Sequence, residues 1–345
     1  MSPTVLPPEW APQSGVMITW PHAHSDWGDI LQDVEPVYLR LARHISQREK
    51  LLVNCRDEAH AAHVRERLHA ADVDPRRTVI HCVHSNDTWT RDYGPLTILE
   101  QDRPHLLDFT FNGWGNKFDA GSDNLVSSQL HRAGVFGTAP FTTIDLVLEG
   151  GSIEVDGQGS LLTTENCLLA PTRNPALGRA QIEEQLRRWF GVERILWLNH
   201  GHLAGDDTDS HIDTLARFCD PHTIAYVACD DSTDEHYAEL RLMESELRAL
   251  RDYRGNPYRL VPLPWPAAKY DDEDGRRLAA SYANFLIING AVLVPTYDDP
   301  ADAETLRRLQ GCFPDREIIG VPCLPLIRQN GSLHCITMQL PAGVL

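Results

Sequence analysis

Cys335 lies in the run Gly331-Ser332-Leu333-His334-Cys335-Ile336-Thr337-Met338, where a small-residue turn gives way at once to alternating apolar residues. That pattern holds a thiol at the mouth of a short strand, where a nucleophile would sit. His211 and Asp213 are two residues apart in Asp206-Asp207-Thr208-Asp209-Ser210-His211-Ile212-Asp213, so an extended backbone would turn both to one face. Asp92 sits in Asp87-Thr88-Trp89-Thr90-Arg91-Asp92-Tyr93-Gly94-Pro95, a loop closed by Gly-Pro before an apolar strand. Two carboxylates from different parts of a chain can clamp a planar guanidinium, whose fork of N–H donors matches carboxylate geometry. A thiolate from Cys335 would then attack the central carbon, and His211 would give a proton to the departing ammonia. Taken singly, each residue has a plainer role: cysteine is usually a small buried hydrophobe, Asp92 beside Arg91 suits an ion pair, and a lone histidine suits a hydrogen-bonded core. Alternatively, His200, His202 and His211 with the acids at 206, 207, 209 and 213 would suit a metal, although no zinc signature has that spacing. A non-catalytic acidic binding module is a third reading.

The elements that must position these residues form a loose internal repeat. An amphipathic helix rich in leucine and arginine, a short turn and a compact apolar strand occur at Val64 to Cys82. The pattern recurs at Gln181 to Leu198, Ala238 to Leu263 and Ala303 to Val321, with a divergent copy from Leu125 to Leu148. Each strand leads into a polar loop and then a second strand or hairpin, clearest at Ile153 to Leu162, where Asp156-Gly157 is a favoured turn. Asp92, Glu149, the pair His211 and Asp213, Asn284 and Cys335 each fall in the loop of a different unit. Radial repetition would bring all five loops to one axis in a ring of small sheets with helices outside. Plain alternation of helices and strands in any α/β protein is the competing explanation.

Composition narrows the class. With 49 acidic against 31 basic residues the net charge is -18, so nucleic acid and anionic membranes are poor partners and a cationic ligand is welcome. Lysine occurs only at 50, 117 and 269 and no Gly-Lys pair exists, so no phosphate-cradling P-loop can be drawn. The eight cysteines show no C-x-x-C pair, which argues against a disulfide framework or a zinc ribbon. Met1 to Trp20 lacks the basic start and apolar core of a signal peptide, and no run of about twenty apolar residues occurs. A reducing cytoplasm is the expected compartment.

The combination Trp89-x-Arg91-Asp92-x-Gly94-Pro95, Phe111-Asn112-Gly113-Trp114-Gly115, Glu149-Gly150-Gly151-Ser152-Ile153, Asp206-Asp207-Thr208-Asp209-x-His211-x-Asp213 and Gly331-Ser332-Leu333-His334-Cys335 resembles the agmatine deiminases, grouped with the Porphyromonas-type peptidylarginine deiminases in the guanidino-group modifying superfamily. The resemblance runs in order from Trp20-Pro21 to the end of the chain. It implies a five-bladed pseudosymmetric α/β propeller, a single catalytic domain over residues 1–345, and hydrolysis of agmatine with neither metal nor cofactor. By position it makes Cys335 the nucleophile, His211 the acid and base, and Asp92 and Asp213 the guanidinium clamps. Glu149 matches the carboxylate that supports the histidine, and Asp207 matches a residue that helps hold agmatine. Trp89 and Trp114 are expected to wall the pocket, and a homodimer is compatible with the resemblance. Gln329-Asn330 stands where some members have a longer glycine run, and Asn116 where a third glycine is common. Both departures touch loop shape more than chemistry. Agmatine is expected to be preferred over arginine, because no lysine and no unpaired arginine in these motifs would receive an α-carboxylate.

Overall fold

The computed structural model describes residues 4–345. Of the segment Met1 to Trp20, the first three residues lie outside that range.

Local pattern explains the elements. Helix Arg179–Phe190 buries Ile182, Leu186 and Phe190, one turn apart, and ends at Gly191, whose φ of 67° is the left-handed conformation of a helix C-terminus. Helix Glu58–Ala70 starts where the Asp57 side chain accepts from the His60 amide at 2.9 Å, and buries Ala61, Val64 and Leu68. Strands such as Leu286–Ile288 and Ser160–Thr164 are buried throughout, as strands covered on both faces must be.

Five sheets share one plan. A first strand runs antiparallel to a second, a helix follows, and a third strand returns parallel to the second. Leu96–Glu100, Arg103–Thr110, helix Asp123–Arg132 and Phe141–Val147 form one such unit. Ile153–Val155, Ser160–Thr164, helix Arg179–Phe190 and Arg194–Leu198 form the next. Ala216–Asp220, Thr223–Val227, helix Tyr237–Ala249 and Arg259–Leu263 follow, and then Leu286–Ile288, Ala291–Thr296, helix Ala301–Cys312 and Glu317–Pro322. The fifth draws on both ends of the chain: Thr337–Pro341 pairs antiparallel with Gln13–Thr19, and helix Leu31–Ser46 leads to the parallel strand Lys50–Cys55.

All five helix-strand pairs expected from the pattern are present, with one reassignment. The pair at Val64 to Cys82 is real, but its strand Thr78–Cys82 is an added fourth edge on the fifth sheet. The copy that corresponds to the other four is Leu31–Cys55, hidden in the sequence because its first strand lies at the opposite end of the chain. The hairpin at Asp156 also stands: its carboxylate accepts from the amides of Gln158 and Ser160 at 2.8 and 2.9 Å, and Gly157 has φ +68°.

The functional consequence lies just before the first strand of each sheet. Asp92, Glu149, Asp213, Asn284 and Cys335 occupy equivalent places there. These segments touch one another: the Arg91 amide donates to the Cys335 carbonyl at 3.1 Å, Asn284 Nδ2 to the Asp213 carbonyl at 3.4 Å, and the Gly151 amide to Asp92 Oδ1 at 3.0 Å. No helix among the described residues is long and apolar enough to cross a membrane.

Candidate active site

Asp92 belongs to a single helical turn, Thr90–Tyr93, whose tight packing requires Gly94 after it: a Cβ there would lie 2.5 Å from the Thr90 carbonyl oxygen. Its carboxylate is fixed on both oxygens, Oδ1 by the Gly151 amide and Oδ2 by Trp114 Nε1, each at 3.0 Å. Trp114 reaches it from a strained segment, with φ of 54° at the tryptophan between two glycines that also have positive φ. Burial, and then the neighbouring Glu149 charge, push Asp92 up to about 7.

His211 and Asp213 do not sit on an extended backbone. Residues Ile212–Thr214 form a 3-10 turn with His211 just before it, and this turn, rather than strand alternation, brings the two side chains into the site. His211 Nδ1 lies 3.6 Å from Asp92 Oδ1, and neither ring nitrogen has a hydrogen-bond partner among the described residues. Asp213 Oδ2 is 2.7 Å from His334 Nδ1 and 3.9 Å from Cys335 Sγ, while Oδ1 is unpartnered. Buried polar atoms without partners are rare, and a cluster of three in one site asks for a polar ligand. Burial, then Arg173 and Lys117, hold His211 well below its ordinary value. Burial, then Asp92, drive Asp213 well above its own.

The Cys335 thiol is 3.3 Å from Asn284 Nδ2 and 3.4 Å from its Oδ1. Burial, then Asp213 and Asp92, raise it well above its ordinary value, so the empty site holds a neutral thiol. Glu149 is fully buried and close to His211, yet both its oxygens accept from Arg173 Nε, at 2.9 and 3.0 Å. The same guanidinium reaches Asp209 Oδ2 at 2.6 Å. Glu149 therefore touches the histidine's surroundings through an ion pair that the motif did not disclose.

A cavity of about 290 Å³ opens beside these groups, and His211, Asp213 and Glu149 lie outside its lining. Cys335 and Asp92 lie in its wall, with Trp89, Trp114, Asp206 and Asp207. Trp89 and Trp114 meet edge to face at 6.5 Å, and Trp89 Nε1 donates to Asp87 at 3.1 Å. Asp207 accepts from Asn330 Nδ2 at 2.9 Å, and burial raises its carboxyl. Asp206 also folds the acidic loop, accepting from the Thr208 and Ser210 amides at 3.1 and 2.8 Å. Asn330 and Asn116 have φ of 69° and 66°, which explains the two departures from glycine: asparagine tolerates the left-handed conformation that glycine favours.

Two placements bear on the alternatives weighed in the sequence. A lysine does stand at the site, since Lys117 Nζ donates to Asp209 Oδ1 at 2.7 Å and to the Asp207 carbonyl. The proposed metal set does not assemble: His200 turns to Glu239 at 3.3 Å and His202 stacks on His236. Glu149, Cys167 and His211 do approach within 4.8 Å of one another, but Glu149 is spent on Arg173.

Sequence reasoning missed Arg173, Glu9 and Gly151, and passed over His334 although it adjoins Cys335. Gly151 carries the clearest signal in retrospect, as part of Glu149-Gly150-Gly151-Ser152. A Cβ on it would lie 2.6 Å from His211 Nδ1, 2.9 Å from Asp92 Oδ1 and 3.1 Å from Asp213 Oδ2.

The Porphyromonas-type peptidyl-arginine deiminase family matches residues 5–341 of the chain. The chain belongs to this family. An agmatine deiminase of Stutzerimonas stutzeri is 36% identical, covering 98% of this chain and 95% of its own. A cysteine-to-serine form of the C. jejuni agmatine deiminase, solved with substrate bound, is 39% identical with a TM-score of 0.91, over 99% of this chain and 97% of that one. A Porphyromonas gingivalis structure, described provisionally as an arginine deiminase, is 50% identical with a TM-score of 0.92 over 99% of both chains. The fold extends further, to a Pseudomonas aeruginosa DDAH at 12% identity, with a TM-score of 0.51 over 95% of this chain. Family membership makes the chain a hydrolase of an amidine C–N bond.

Proposed function

We propose that this chain is an agmatine deiminase, converting agmatine and water to N-carbamoylputrescine and ammonia. The carrying observation is that Asp92 and Cys335 line one cavity walled by two tryptophans, with the Asp213 carboxyl 3.9 Å from the thiol and the unpartnered His211 ring 3.6 Å from Asp92. A guanidinium entering between the two carboxyls favours their ionised forms and places its carbon near the thiol. His211, neutral in the empty site, takes the thiol proton. The thiolate adds to the guanidinium carbon, the C–N bond to one NH₂ breaks, and that group leaves as ammonia carrying the proton from His211. Water then adds to the amidino-cysteine with His211 as base, and the C–S bond breaks to free the ureido product and the thiol. Asn284 holds the sulfur in place. Trp89 and Trp114 cover the aliphatic stem, and Asp207 faces the terminal ammonium.

The five sheets are read as blades of a five-bladed pseudosymmetric α/β propeller forming one domain, supported by the mutual contacts of the five segments that precede their first strands. The protein is placed in the cytoplasm, where the product would feed putrescine and polyamine synthesis.

Free arginine is the rival substrate, favoured by the presence of Lys117. That ammonium is already engaged by Asp209 and the Asp207 carbonyl, so an α-carboxylate would meet Asp207 with no free cation beside it. Ammonia release should give a kcat/KM for agmatine more than roughly a hundredfold above arginine and acylated arginine ester, equivalent to about 2.7 kcal/mol. Comparable turnover of arginine would transfer the chain to that substrate. Cys335→Ala should abolish release from all three while the protein stays folded.

A further inference from the structure

We propose that His334 is a positioning residue that takes the proton of Asp213 when a guanidinium cation enters, so that this clamp ionises without expelling a proton to solvent. The inference rests on the reading of Asp213 as a clamp. His334 Nδ1 is 2.7 Å from Asp213 Oδ2, and its Nε2 is 2.7 Å from Glu9 Oε2. Each of these contacts needs a proton within it, and a neutral imidazole brings only one. The line Glu9, His334, Asp213 therefore holds two protons. Either an imidazolium sits between two carboxylates, or a neutral ring sits between one carboxylate and one carboxylic acid.

The surroundings decide which. Glu9 lies 2.8 Å from Arg217 Nη2 and 3.8 Å from Arg91 Nη2. Burial alone would raise its pKa, but Arg217, His334 and Arg91 outweigh that and hold it far below the usual carboxylate range. Asp213 instead faces Asp92 and the Cys335 sulfur. Burial and the Asp92 charge push it well up, with Arg91 only a partial offset. His334 is itself held well below its ordinary value by burial, then by Arg217 and Arg91, against the pull of Glu9. Arg217 in turn pairs with Glu154. In the empty site the ring is thus neutral, its Nε2–H donates to Glu9, and the second proton rests on Asp213 Oδ2 and points at Nδ1. The ring is held in this orientation by contacts at both nitrogens, and its backbone amide is anchored on Asn284 Oδ1 at 2.9 Å.

A guanidinium beside Asp213 reverses the balance. The Oδ2–H bond breaks, an Nδ1–H bond forms, and the net charge of the line is unchanged. The resulting imidazolium lies between two carboxylates, immediately before the nucleophile in the chain.

The test uses the full-length Cys335→Ala protein, which can bind without turning over. Agmatine binding is measured by calorimetry at pH 7 in two buffers of different ionisation enthalpy, which counts the protons released. Adding His334→Asn should release about one more proton per agmatine and weaken binding about tenfold. Glu9→Gln should also raise the count, because the imidazolium loses its second anion. In parallel, ¹⁵N spectra of Cys335→Ala protein with His334 intact should show Nδ1 passing from unprotonated to protonated at saturation. A proton count unchanged in a folded His334→Asn variant, or an Nδ1 that stays unprotonated, overturns the proposal. If the asparagine variant does not fold, the spectra decide. If arginine binds and agmatine does not, the substrate reading falls, and the same count taken with arginine still decides the role of His334.

Discussion

At the scale of single residues, the site depends as much on an absent side chain as on those present. Gly151 supplies the amide that holds Asp92, and it leaves room for His211, Asp92 and Asp213 to approach one another. Gly151→Ala should therefore lower kcat by at least about a hundredfold, since small displacements of reacting groups are that costly. The glycine is buried at the centre of the loop and its φ is not in the left-handed region, so the fold should survive with a modest fall in Tm. Steady-state kinetics with a thermal melt on the same sample check this. Near-wild-type kcat would mean that the three groups have more freedom than their distances suggest.

At the scale of elements, loops that arrive from different sheets are tied together by buried ion pairs. Arg173, from the loop after strand Ser160–Thr164, joins Glu149, Asp209 Oδ2 and the Thr208 carbonyl, while Lys117 holds Asp209 from the loop after strand Arg103–Thr110. Arg173 and Glu149 have fully buried side chains. Removing one partner of a buried pair leaves the other charge uncompensated, at a cost of about 3 to 5 kcal/mol. Arg173→Met should accordingly lower denaturant-measured stability by that order and reduce activity, because Thr208 also supports the His211 amide at 3.1 Å. Loss of activity with stability intact would show instead that Glu149 takes up a proton and the loop holds without the pair.

At the scale of the whole molecule, the empty protein carries a store of carboxyl groups buried near their neutral forms. Asp92 and Glu49 are pushed up to about 7 and Asp123 to about 8, each chiefly by burial. In the unfolded chain such groups titrate near 4, so between these values the folded protein binds more protons and its stability falls as pH rises. Buried histidines act in the opposite sense. His22, lowered to about 4 by burial, and His211 and His334, held well below their ordinary value, favour the folded state increasingly as pH rises. That gain tapers off over about one pH unit above 6.5, the ordinary histidine value. From there to pH 8 the carboxyls decide, and the Tm of the empty protein should drop. Agmatine, supplied to the Cys335→Ala form, should restore more stability at pH 8 than at pH 6.5. A Tm that is flat or rising across this window would show that these carboxyls are already ionised in the fold.

What the sequence determined by itself is local in origin. Helix Arg179–Phe190, its glycine stop and strand Arg194–Leu198 follow from apolar spacing and turn chemistry within some twenty residues, and the other helix-strand pairs follow in the same way. The equivalence of Asp92, Glu149, Asp213, Asn284 and Cys335 was also legible, because each precedes a short strand that its apolar residues reveal. The tertiary structure alone decided what those residues meet. Glu9 and His334 are 325 residues apart in the chain, and nothing in a local window selects that contact. It also reassigned Val64 to Cys82 to a sheet edge, since strands from the two chain ends pair in the same sheet, and it replaced the extended backbone at His211 with a 3-10 turn. Propensity and periodicity act over neighbours in sequence, whereas desolvation and charge pairing act over neighbours in space, and the protonation states of this site are set by the second.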